Sequence, residues 1–86
     1  MATREQNEKK FRQWKDLAQG GRVYWLNLPG HHGWSAHYLK EVDADERTVR
    51  FWQEICDEQG TIVEVHEKYP VDQGHKSVQG EAERWT

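Results

Sequence analysis

The chain has 86 residues, 31% of them charged, a formal charge of −3 and a single cysteine. A chain this short makes one domain with a small core, burying about 60% of the surface its unfolded form exposes. The charge balance argues against a general nucleic-acid binder, which shows a basic excess or stripe. One cysteine rules out an intrachain disulfide, and no apolar run approaches the ~20 residues that span a bilayer. The first ten residues are charged and lack the apolar stretch of a signal peptide. Met1 reads as the start of a complete small reading frame, and a soluble cytoplasmic protein is the expectation.

Residues 4–19 predict a helix. Phe11, Trp14, Leu17 and Ala18 fall on one stripe at helical spacing, and polar residues occupy the rest. Thr3 can cap the start, with Gln6 three residues on completing a capping box. Gly20-Gly21 ends it. The stripe is short, so the helix needs a surface to lie on.

Four strands follow: Arg22–Leu28, Trp34–Val42, Thr48–Cys56 and Thr61–Tyr69, the last closed by Pro70. Pro29–Gly33 and Asp43–Arg47 connect the first three. Glu58-Gln59-Gly60 forms a three-residue hairpin loop with Gly60 in the left-handed position. That loop sets Asp57 opposite Thr61, and counting back places Trp52 opposite His66, Glu54 opposite Glu64 and Val49 opposite Tyr69. In the second hairpin, Val42 against Val49 brings Glu41 to Arg50, Leu39 to Trp52 and His37 to Glu54. In the first, Leu28 against Trp34 brings Tyr24 to Tyr38 and Trp25 to His37. The expected fold class is α+β, one N-terminal helix packed on a four-stranded antiparallel meander, with a small curled β-barrel as the alternative. Residues 1–70 form the domain, and 71–86 read as an irregular tail with Trp85 tacked back onto the body.

In this register one face gathers Tyr24, Leu26, Leu28, Trp34, Tyr38, Val42, Val49, Phe51, Ile55, Val63 and Val65, the seat for the helix. The other carries Trp25, His37, Leu39, Arg50, Trp52, Glu54, Ile62, Glu64, His66 and Lys68. Tryptophans, a leucine and an isoleucine set among charges make a patch that a monomer rarely leaves bare. Trp and Arg dominate interface energies, so the leading expectation is a protein-interaction module. It binds a protein partner, or itself as a homodimer, through Trp25, Leu39, Arg50, Trp52 and Ile62.

The alternative is a hydrolase acting on RNA. His37, Glu54, Glu64 and His66 would supply general acid and base, and Arg50 would hold the phosphate. That layout resembles the small microbial ribonucleases, which set His, Glu and Arg on an antiparallel sheet behind a helix; the likeness is one of layout alone. A metal held by His37, His66 and the two glutamates is the weakest reading, because no HxH, HxxxH or CxxC spacing accompanies it. No metal or cofactor is expected. Cys56 reads as a packed side chain. The glycine-flanked His31-His32 loop reads as a flexible connection, or a binding loop. His75 lies on the exit from the last strand. The acidic residues around Asp43–Glu46 and Asp57–Glu58 read as turn and solubility chemistry, or as a docking surface for a basic protein.

Overall fold

The computed structural model describes residues 2–71 and the backbone of 74–77. Helix α1 spans Arg4–Phe11, shorter than expected. Its start follows the sequence: Thr3 Oγ1 accepts from the Gln6 N–H at 3.2 Å, and Gln6 Oε1 accepts from the Thr3 N–H at 2.9 Å. It stops at Arg12, which turns left-handed (φ 72°) and donates its N–H to the Glu8 carbonyl at 2.9 Å. Gln13–Asp16 then forms strand β1 beside β2, Arg22–Pro29. Trp14 therefore sits opposite Tyr24, its ring 6.3 Å from the tyrosine ring and 5.2 Å from the Arg22 guanidinium. A narrow stripe gives a long helix little to bury, whereas a sheet edge satisfies the backbone and seats the Trp14 ring.

The remaining strands are β3 (Ser35–Val42), β4 (Thr48–Cys56), β5 (Ile62–Tyr69) and β6 (Gly74–Ser77). All six pair antiparallel in chain order, so the α+β class holds and the four expected strands are the middle of a larger meander. Among the described residues β1 and β6 are the two edges, and the sheet is open rather than a closed barrel. Gly74–Ser77, within the segment expected to be irregular, pairs with Glu64–Glu67 of β5. Trp85 lies outside the described residues. No described helix is long and apolar enough to cross a membrane.

The registers differ from expectation in an instructive way. Between β2 and β3 the slip is two residues: Trp25 faces Leu39 and Tyr24 faces Lys40. A slip of two leaves every side chain on its expected face. Between β3 and β4 the pairs Glu41–Arg50, Leu39–Trp52 and His37–Glu54 form as expected, but a bulge puts Val42 opposite Thr48 instead of Val49. The third hairpin starts as expected, with the Asp57 N–H on the Thr61 carbonyl at 2.9 Å and Gly60 at φ 82°. The register then shifts by one between Ile55 and Cys56. Trp52 faces Glu67, Gln53 faces His66 and Ile55 faces Glu64. A shift of one exchanges the faces, so Glu64 and His66 join the helix side while Val65 and Glu67 join the other.

The core lies between α1 and the first sheet face, built on Phe11, Tyr24 and Val42 with Leu26, Tyr38 and Phe51 against them. Phe11 meets Tyr24 at 5.8 Å and Phe51 edge-on at 6.4 Å. At its heart is a polar lock. The Glu46 carboxylate accepts from the Tyr24 hydroxyl, from Asn7 Nδ2 at 3.0 Å and from Arg4 Nε at 2.7 Å. Asn7 Oδ1 in turn accepts from Lys40 Nζ at 3.0 Å. Burial alone would lift the Glu46 carboxyl, but these donors outweigh it and hold it below the usual carboxylate range. Burial, then Glu46, pushes the Tyr24 phenol above its usual value.

Glu46 reaches the core through its backbone. Asp43 and Asp57 organise two turns of one design, each Oδ1 accepting from the N–H groups two and four residues on. The left-handed position is Gly60 in one turn and Glu46 (φ 65°) in the other. A non-glycine residue is disfavoured there, and the inward carboxylate is what offsets the cost.

Candidate functional site

The sheet face opposite α1 is ordered in rows across the strands. Trp25, Leu39, Trp52 and Glu67 occupy successive strands in one row, with Gln13 at the β1 edge. Asn27, His37, Glu54 and Val65 form the next. Strands are about 4.8 Å apart, so neighbours in a row are in contact range. Ile62 pairs with Cys56 at the hairpin end of this face and is 37% exposed. The structure therefore brings Trp25, Leu39, Arg50, Trp52 and Ile62 onto a single surface.

Arg50 is the best-defined group on it. Its guanidinium lies 3.9 Å from the centroid of the Trp52 ring. Its Nε and Nη2 donate to the two oxygens of Glu67 at 2.5 and 2.9 Å. This fork-to-fork pair holds the guanidinium over the indole ring. The hydrogen bond from Arg50 keeps the Glu67 carboxyl below its usual range, and Glu67 raises Arg50 in return. The Trp52 indole N–H donates to Glu54 Oε2 at 3.1 Å. Trp52 is 8% exposed and forms the floor of the patch; Trp25 and Leu39 are half-buried around it. Glu41, Glu54 and Glu67 surround the single guanidinium, so the centre of the face is acidic.

The four residues of the hydrolase reading are split between faces. His37 and Glu54 are paired neighbours on the open face, with His37 Nε2 3.2 Å from Ser35 Oγ. Glu64 and His66 lie on the helix side, opposite Ile55 and Gln53. An acid and a base that attack one bond must both reach it, and here the sheet stands between the two pairs. The bulge in β5 is the cause, and no turn residue announces it. Among the described residues no three His, Cys, Asp or Glu side chains are grouped to hold a metal.

Cys56 is buried, and burial, then Glu54 and Asp57, pushes its thiol up, which makes it a poor nucleophile. Two residues of consequence escaped the sequence reading. Nothing in the sequence pairs Glu67 with Arg50, because the bulge that aims it there is a tertiary feature. Glu46 read as turn chemistry. The repeat of the Asp-initiated turn at Asp43 and Asp57, with glycine at the fourth position in only one, was the signal that could have singled it out. No family model, curated protein or solved structure matches the chain.

Proposed function

We propose that this protein is an interaction module that binds another protein through the sheet face opposite α1. The observation that carries the reading is the row Trp25–Leu39–Trp52 with Arg50 pinned on Trp52 by Glu67. A pre-ordered Trp/Arg cluster loses little side-chain entropy on binding, which is what makes such residues energetically dominant at interfaces. The surrounding glutamates select a partner that presents an apolar side chain flanked by Lys or Arg. The same glutamates oppose stacking of two copies face to face, because a self-complementary contact would bring like charges together.

The test is affinity capture from cells with the wild-type full chain and three variants of it. Ile62→Glu and Trp25→Ala alter the proposed face, and Leu28→Ser alters an exposed residue on the other. The expected result is a partner retained by wild type and Leu28→Ser and lost by both face variants, with binding weakened as salt is raised. A partner held equally by all four proteins, or lost equally by all three variants, refutes the assignment. Sedimentation of the purified chain checks self-association, and a stable dimer abolished by Ile62→Glu would overturn the choice of a heterologous partner.

A further inference from the structure

A second surface, on the helix side, has a different chemistry. A cavity of about 470 Å³ opens between the end of α1 and strands β3, β4 and β5. That volume is in the range of small-molecule sites. Three cationic side chains line it: Lys10 from α1, Lys40 from β3 and Arg47 ahead of β4. Three rings line it too: Phe11, Phe51 and Tyr69, the last 46% exposed. Lys68 Nζ lies 5.7 Å from the centroid of the Phe51 ring, and Lys10 Nζ 5.5 Å from that of Phe11. No carboxylate is among the described lining residues.

This concentration is unexpected in a chain of net charge −3. Like charges gathered on partly apolar walls repel one another, and Lys40 sits among them. Burial, and then Lys10, lowers its ammonium below the usual value, with Glu46 only partly opposing. An anion placed among the three would relieve that repulsion. The helix dipole works weakly against it, since this is the C-terminal end of α1 with about half a unit of negative charge. Three positively charged side chains lining the cavity outweigh that fraction.

We propose that the cavity is a binding site for a small aromatic phosphate monoester: a planar ring system seated among Phe11, Phe51 and Tyr69, with its phosphate held by Lys10, Lys40 and Arg47. A phosphate monoester carries close to two negative charges at neutral pH and three acceptor oxygens, which suits a cavity lined by three cations better than a carboxylate does. The flat rings supply the apolar contact that inorganic phosphate would not use.

The full chain is titrated with 1-naphthyl phosphate, 1-naphthol and inorganic phosphate, and backbone amide shifts are followed by NMR. The phosphate ester is expected to shift Lys10, Thr48, Phe51 and Tyr69, leaving Trp25, Leu39 and Trp52 unmoved. 1-Naphthol and inorganic phosphate should each bind at least about tenfold more weakly, and Lys10→Gln and Arg47→Gln should each weaken the ester about tenfold. Both side chains are exposed, so these variants keep the fold, and unchanged thermal melting verifies it. Equal binding of 1-naphthol, equal binding of inorganic phosphate, variants that bind like wild type, or no shifts at these residues would each overturn the proposal. None of these results bears on the opposite face, so the two assignments stand or fall separately.

Discussion

Removing the Glu46 carboxylate tests the polar lock directly. In Glu46→Ala, the Tyr24 hydroxyl loses its acceptor in a site where the tyrosine is 0% exposed, so water cannot replace it. Asn7, also buried, loses the acceptor of its Nδ2. Arg4 is exposed enough to return to solvent and adds little. Two buried donors released from a charged acceptor cost about 1.5–3 kcal/mol each at most, and incomplete additivity brings the expected loss to about 3–5 kcal/mol. Total stability for a chain of this size is about 4–13 kcal/mol, so the variant should be close to half unfolded or worse in the lower part of that range. Urea unfolding followed by tryptophan fluorescence measures the loss. Tyr24→Phe and the double variant complete a cycle whose coupling energy should be about 1–2 kcal/mol. Glu46→Gly should be about 1 kcal/mol more stable than Glu46→Ala, because only the left-handed backbone separates them. A loss under about 1 kcal/mol for Glu46→Ala, or a coupling near zero, would refute the lock as the joint between helix and sheet.

The pH dependence follows in sign. Glu46 and Glu67 have lowered folded values, so their stabilisation is present above the unfolded value of about 4.3 and is lost as pH falls through the folded ones; Tyr24 is raised, so its share is present below about 10 and is lost as pH rises through its folded value. Glu46→Gln should flatten the acid limb of the urea midpoint against pH, and an unchanged limb would contradict the assignment. Arg12→Gly should raise stability by about 0.5–1 kcal/mol in thermal or urea unfolding, since the exposed Arg12 closes α1 at φ 72°; a loss of stability would show that the side chain matters more than the backbone.

Much of the sheet face opposite α1 was legible because alternation along a strand survives errors of even size. The first hairpin slipped by two residues and still delivered Trp25 and Leu39 to the right side. Arg50, Trp52, His37 and Glu54 were placed by the hydrophobic pattern and the Glu41–Arg50 pair. The hydrolase constellation was not legible. It depended on an unbroken register from Gly60 back to Trp52, and a bulge displaced it by one residue. The N-terminal stripe failed for a related reason: Trp14 satisfies a helical period and a strand position equally well, and only the edge offered by β2 decides between them.

The sequence by itself determined the α+β class, the capped start of α1, the middle strands and their turns, and which face Trp25, Leu39, Arg50, Trp52 and Ile62 share. These follow from local chemistry: a capping box, a glycine in a left-handed turn and the two-residue period of a strand. The tertiary structure alone decided where α1 ends, which way Glu64, His66 and Glu67 point, and that Glu46 turns inward to meet Tyr24. It also decided that Lys10, Lys40 and Arg47 gather round one cavity. Each of these depends on groups far apart in the chain competing for one position. A backbone bulge or a left-handed residue is disfavoured locally and persists because distant partners supply the compensating interaction.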